Sequence, residues 1–228
     1  MALGQPLPQW TQKNDSIRES EIMLIDPEAE SASLVYSTMI RAITPRPIAW
    51  VSTVSPTGVT NLAPFSYFNG VCSAPAALMF SPVNRPDGSP KDTLVNIRSN
   101  GEFVVNVVPF AIAQPMVETA GDFQYETSEF SEVGLTPTPS KRVQPPGVFE
   151  SPIQFECEVI QIVPVGEGPL AANVIIGKIV LMNIADNILD DDQKIDPSKL
   201  DTIGRLGGRG YSRTTERFEL KPLGSAQK

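Results

Sequence analysis

Proline sets the strongest limit on what this chain can fold into. It carries 22 prolines in 228 residues, and they recur along its length rather than in one block. Each fixes its own φ and removes a backbone donor, so short elements joined by fixed turns are expected instead of long helices. Hydrophobic residues make up 41% of the chain, enough to fill one large core. The expected divisions are an N-terminal arm over 1–30, a main domain over 31–220 and a polar tail over 221–228.

The apolar pattern places the elements. Leu34, Val35, Met39 and Ile40 stand near helical spacing, which predicts a short helix from Ala32 to Ile40. Ile48 to Val54 reads as a strand, Ser55-Pro56-Thr57-Gly58 as a turn, and Val59 to Phe65 as the return strand of a hairpin. Ala76 to Phe80 is another strand. Ser89 reads as the N-cap of a helix, with Pro90 at its first position, Asp92 completing a capping box and Asn100-Gly101 as the stop. A strand over Phe103 to Val108 and a helix over Ala111 to Thr119 follow. Residues 121–151 read as a long excursion with little regular structure. Ile153 to Val165 alternates as a half-buried strand. Asn173 to Ile184 is nearly continuously apolar, which predicts a strand buried on both faces. Many short strands and few helices predict a mainly β fold with peripheral helices, as a closed or split antiparallel barrel. No GxGxxG motif and no regular strand–helix alternation point to a dinucleotide-binding parallel sheet.

Composition narrows the chemistry. The chain has no histidine, which rules out Ser-His-Asp and Cys-His catalysis and any His-ligated metal. An enzyme of this composition leaves the difficult chemistry to a cofactor or substrate. The net charge of −8 and pI near 4.7 argue against nucleic acid as a partner. Cys72 and Cys157 have no CxxC spacing, so no zinc or iron–sulfur site is expected. Asp190-Asp191-Asp192 reads as a solvated turn, and no metal site is assigned. Lys178 interrupts the longest apolar stretch and no signal pattern opens the chain, so a cytoplasmic protein with no membrane association is expected.

Three segments offer binding chemistry. The helix start at Ser89 to Thr93 presents backbone N–H groups, Lys91 and a hydroxyl to an anion; on these residues alone the plainer reading, a well-capped surface helix, is favoured. The hairpin offers Arg46, Ser52, Thr53, Asn61 and Ser66 as donors and acceptors for a flat polar ring; on these residues alone the plainer reading, a solvated hairpin, is favoured. Arg205 to Arg213 is basic and glycine-rich, either a place where backbone approaches a ligand or a plain surface loop. Trp50 and Tyr67 are candidates to flank a ring or to fill the core.

The run Pro45-Arg46-Pro47-Ile48-Ala49-Trp50-Val51-Ser52-Thr53, then Asn61-Leu62-Ala63-Pro64-Phe65-Ser66-Tyr67-Phe68, resembles the flavin reductase-like family of FMN-binding split β-barrels, of the flavoredoxin type. Lys91-Asp92-Thr93-Leu94-Val95-Asn96-Ile97, Asn173 to Ile179, and Arg205-Leu206-Gly207-Gly208 with Tyr211 resemble that family's later motifs, in order. The resemblance implies a homodimer with FMN near the subunit interface. It implies that Arg46, Pro47, Ser52, Thr53, Asn61, Ala63 and Ser66 line the ring and ribityl region. Lys91, Asp92 and Thr93 are implied on the phosphate side, with Trp50, Tyr67 and Arg205 close by. Many members carry a His where this chain has Asn173, which puts a proton-donating role there in question. The segment Pro82 to Gly88 is an apparent insertion, expected to shape the substrate side.

Three functions compete on this reading. One is an FMN-dependent oxidoreductase taking hydride from NADH or NADPH and passing it to flavin or to an acceptor. Another is an FMN-carrying electron-transfer protein, served by an electron-acceptor protein or a partner oxygenase. The last is a non-flavin barrel acting as an interaction module. No catalytic side chain is assigned in any of them.

Overall fold

The computed structural model describes residues 22–222. Most of the expected arm (1–21) and tail (223–228) lies outside the described residues. Chain contacts divide the protein into two units, one ending at Met39 and the other beginning at Ile40. The first contains a turn in which Ala29 and Glu30 N–H donate to the Asp26 carbonyl, then most of helix α1 (Ala32–Ala42). Ser31 Oγ accepts from Leu34 N–H at the start of that helix.

The second unit holds a seven-stranded antiparallel sheet: β1 (Ala49–Val54), β2 (Thr60–Phe65), β3 (Phe68–Ser73), β4 (Ala76–Phe80), β5 (Glu102–Asn106), β8 (Ile153–Val165) and β9 (Ala172–Ile184), in the order β2-β1-β5-β8-β9-β4-β3. The short pairs β6 (Pro137–Thr138) with β7 (Gly147–Val148), and β10 (Ile203–Arg205) with β11 (Tyr211–Arg213), stand apart from it. The helices are α2 (Asp92–Asn100), α3 (Ala113–Glu118), α4 (Glu129–Glu132) and α5 (Pro197–Leu200). The fold is thus mainly β with peripheral helices, as expected. The two edge strands β2 and β3 are consecutive in the chain. Ser66-Tyr67 alone carries the backbone from one edge of the sheet to the other, which makes the barrel split rather than closed.

The hairpin forms as the turn chemistry predicts. Gly58 takes φ +90°, and its N–H donates to the Ser55 carbonyl. Side chains on β1 alternate between two cores. Ala49 and Val51 enter the barrel interior with Leu78, Phe80, Leu94, Phe103 and Ile175. Trp50 faces the opposite way, into a second cluster with Leu62, Met116, Phe130 and Val148. That second cluster explains the 121–151 excursion. It has little regular structure, as expected, yet it is an anchored cover for the outer face of β1 and β5. Glu156 pins it by accepting from Lys141 N–H, Arg142 N–H and Asn183 Nδ2. Burial works to raise that carboxyl's pKa, and these hydrogen bonds outweigh it and hold it below the ordinary value.

Four expectations need correction. Strand β3 was not foreseen. Helix α2 begins at Asp92, not at Pro90; Lys91 is its N-cap and supplies no side-chain cap. Ser89 lies two residues before that N-cap, and its N–H and hydroxyl both donate to Asp87 Oδ1. Helix α3 is shorter than expected, with Pro115 in its first turn and a 3₁₀ turn (Phe110–Ile112) ahead of it. Strand β9 is not buried on both faces: Asn173, Ile175 and Gly177 are buried, while Lys178, Met182 and Ile184 are exposed. The sheet wraps one interior, so only one side of β9 is covered within the chain. Gly177 lies where a Cβ would come within 2.3 Å of the fully buried Phe103 ring, so the close approach itself requires glycine.

Candidate functional site

The outer edge of β2 carries the site. Leu62 N–H donates to Glu129 Oε2 at 2.8 Å, so the even-numbered positions of this strand direct their backbone groups away from β1. Pro64, with no N–H, sits on that edge, where a missing donor costs no ladder bond. One cleft lies along the strand, and a second lies past the Ser66-Tyr67 corner.

The first cleft is lined by Asn61, Ala63, Phe65, Arg85, Lys91, Asp92, Thr93, Glu129 and the loop Thr119–Phe123. It opens further between Arg85–Asp87 and Ala120–Asp122, again past Lys91. Lys91 is exposed, and it forms no ion pair with a described residue. The adjacent α2 start has no side-chain cap, so a cation and the positive end of a nine-residue helix coincide. Arg85, from the 82–88 segment, folds back over this start. It pairs with Asp92 at 2.8 Å and also donates to the Pro90 carbonyl. The insertion therefore adds a second cation to the cleft and neutralises Asp92.

Beneath the cleft runs a buried polar line. Thr93 and Thr53 hydroxyls both donate to Asn61 Oδ1, at 2.9 and 3.2 Å. Asn61 Nδ2 donates to Glu129 Oε1 at 2.6 Å. Asn96 Nδ2 donates to Thr53 Oγ1, and Tyr125 OH to Asn96 Oδ1. Glu129 is only 5% exposed. Burial pushes its carboxyl pKa above the ordinary value, against the opposing pull of the Leu62 and Asn61 hydrogen bonds.

The second cleft lies near the other end of β2, between Pro45, Arg46, Pro47, Phe68, Val107 and Ile203. Arg46 is 5% exposed, and its guanidinium makes four hydrogen bonds. Nη1 donates to the carbonyls of Ile40 and Ile43 at 2.7 and 2.6 Å, Nη2 to Leu206 at 3.1 Å, and Nε to Ser66 Oγ at 3.3 Å. Arg46 and Arg205 also pair through their backbones. The Arg205 side chain turns into its own loop, donating to the Gly208 carbonyl and stacking 4.5 Å from the Tyr211 ring centroid. Tyr67 is half-buried at the β2–β3 corner.

The flavin reductase like domain family matches residues 40–197 of this chain. The chain belongs to the flavin reductase-like family. It is similar to component B of nitrilotriacetate monooxygenase from Bacillus cereus, at 34% identity and a TM-score of 0.83, covering 87% of this chain and 98% of that one. It is similar also to the 2-nitrobenzoate 2-nitroreductase of Pseudomonas fluorescens, at 30% identity and a TM-score of 0.79, covering 90% and 99%. An uncharacterized protein of Aquifex aeolicus is 40% identical over 187 residues, 82% of this chain and 93% of its own.

Within this flavin reductase-like chain, the expected site residues fall into separate groups. Asn61, Ala63, Lys91, Asp92 and Thr93 meet in the first cleft. Arg46 and Pro47 line the second, with Ser66 bonded to Arg46 at the corner. Three of the expected residues have side chains fully buried within the chain. Trp50 is fully buried, its Nε1 donating to Thr119 Oγ1 at 2.9 Å. Ser52 is fully buried, donating to the Pro146 carbonyl and accepting from Asn106 Nδ2. Thr53 is fully buried in the polar line under α2. Trp50 and Ser52 are paired on both sides of β1, and Thr53 on the β2 side, where its hydroxyl joins the polar line. The Thr93 hydroxyl, expected to meet a phosphate, is likewise engaged by Asn61. Asn173 is a buried tie, accepting from Arg98 and donating to Asn84. The sequence does not single out Thr119 and Glu129 in this cleft, and it offers Arg85 only as part of the Pro82–Gly88 segment expected to shape the substrate side. Of these, only the Arg85-to-Asp92 spacing around a turn was a readable hint.

Proposed function

We propose that this chain binds FMN along the outer edge of β2 and serves as an oxidoreductase passing hydride from NADH or NADPH, by way of the flavin, to an acceptor. The observation that carries this reading is the uncapped start of α2, flanked by Lys91 and Arg85, at one end of an edge strand that leads to the second cleft. The stretch from Asn61 to Ser66 covers roughly 16 Å of extended chain, a span suited to an extended mononucleotide. The residues present fit the group: cations and helix N–H groups as donors for a phosphate, then the outward carbonyls of β2 as acceptors for the ribityl hydroxyls and the ring N–H, the Leu62 N–H being taken by Glu129 and Pro64 having none. Bound there, FMN would supply hydride acceptance and donation, which a chain without histidine does not provide itself.

The chain's own residues divide the remaining work. Lys91 and Arg85 hold the anionic end, with Asp92 fixing Arg85 in place. Asn61 and Glu129 keep the β2 edge in register above the buried polar line. Trp50 acts at a distance, steadying Thr119 and so the loop that walls the cleft. Exposed apolar side chains on β8 and β9, among them Ile160, Val165 and Met182, support a homodimer. The likeness to a monooxygenase component supports a partner oxygenase as electron acceptor. No described helix is long and apolar enough to cross a membrane; a cytoplasmic location is part of the proposal.

Anaerobic stopped-flow mixing of the FMN-loaded protein with NADH or NADPH tests the hydride step. Loss of visible flavin absorbance at a rate saturating with nicotinamide is expected. Flavin that stays oxidised with both donors, yet is reduced by dithionite, would favour an electron carrier fed by a protein partner.

A further inference from the structure

Glu129 is a carboxyl with no basic partner among the described residues. It is buried at the floor of the first cleft, and both of its oxygens are committed to the cofactor-bearing strand: one to the Leu62 N–H, the other to Asn61 Nδ2. Asn61 in turn cannot rotate its amide to suit another partner, because its Oδ1 already accepts from Thr53 and Thr93. The carboxyl therefore sets the position of the β2 edge, and it shares the cleft with Lys91 at the proposed phosphate end.

We infer that Glu129 is a positioning residue that couples anion binding in this cleft to proton uptake: the carboxyl gains a proton as the phosphate group enters. This rests on the proposed FMN site. A phosphate and a carboxylate lining one small cleft repel each other, and the neutral carboxyl is relieved of that repulsion. A protonated carboxyl still has lone pairs for both incoming donors and gains an O–H of its own, so the β2 edge stays held in either state. By linkage, the anion raises the proton affinity of Glu129, and the proton raises the affinity for the anion by the same factor.

The surrounding charges shape the coupling without removing it. From the α2 start come Lys91 and Asp92, and from the preceding loop Arg85, which is paired with Asp92. From α3 and the segment after it come Glu118, Asp122, Tyr125 and Glu126, with Glu118 bonded to Gln114 and Glu126 to Thr57. Glu132 shares α4 with Glu129. Lys91 and Arg85 attract the phosphate, and none of these groups makes an ion pair with Glu129.

The experiment is calorimetric titration of the full chain with FMN, in buffers of differing ionisation enthalpy and across a range of pH, for the wild type and Glu129→Gln. The FMN phosphate titrates near pH 6 in its own right, and the difference between the two proteins cancels that contribution. The wild type is expected to take up more protons per FMN than E129Q, by a substantial fraction of one. Its affinity should fall relative to that of E129Q by up to about tenfold per pH unit as pH rises through the Glu129 transition. Equal proton counts and parallel pH profiles would overturn the inference while leaving FMN binding intact. Should E129Q fail to fold, wild-type titrations with FMN and riboflavin at about pH 8 and above, where the FMN phosphate is already a dianion, decide: greater uptake with FMN supports the coupling, and equal uptake or net release contradicts it. A wild type that binds neither flavin at any pH removes the proposed site and this inference with it.

Discussion

Arg46→Met is expected to lower the melting temperature by roughly 4–16 °C, corresponding to about 2–4 kcal/mol in a chain of this size. The resemblance implied that this arginine lines the flavin. In the structure its guanidinium joins three separated carbonyls, at Ile40, Ile43 and Leu206, to Ser66 at the β2–β3 corner. Methionine fills similar space but leaves those carbonyls without their donor. It also unties the only short connection between the two sheet edges from the β10–β11 segment. Arg46→Lys should fall between the two, since an ammonium cannot span the same fork of acceptors. Thermal unfolding of the flavin-free proteins checks this. An unchanged melting temperature accompanied by loss of flavin binding would return Arg46 to direct ligand contact.

Lys91→Ala is expected to do the reverse. It should weaken FMN binding by about 10- to 100-fold, the worth of one charge-assisted contact to a phosphate. The flavin-free protein should melt within about 0.5 kcal/mol of wild type, because Lys91 is exposed and forms no ion pair with a described residue. Riboflavin, which lacks the phosphate, should bind both proteins about equally. Equilibrium titrations with FMN and riboflavin give both numbers. Equal losses for the two flavins would place Lys91 elsewhere than at the phosphate.

The fold was legible wherever local pattern and tertiary environment agree. Gly58 and its neighbours announce the hairpin, and the alternation from Ile153 to Val165 marks β8 to its ends. Strand β3 was hidden because Phe68-Asn69-Gly70 reads as a turn, while in the fold it pairs with β4 as an exposed edge. The site was half legible. Lys91 and Asn61 could be found because their motifs are local. Ser52 and Thr53 look identical in kind to ligand-binding hydroxyls, and only the packing around β1 shows that they are buried. Trp50 and Ser52 share one face of β1, towards the second cluster, and Thr53 lies on the other. Glu129 could not be found at all: it stands in an unpatterned segment, and its two partners lie 67 and 68 residues earlier.

The most direct test of the whole account is an FMN titration of the purified chain, followed by its visible absorption and its melting temperature. The account predicts one FMN per chain, a perturbed flavin spectrum, and a melting temperature that rises with FMN concentration. A protein that leaves the flavin spectrum and its own melting temperature unchanged at saturating FMN would contradict it.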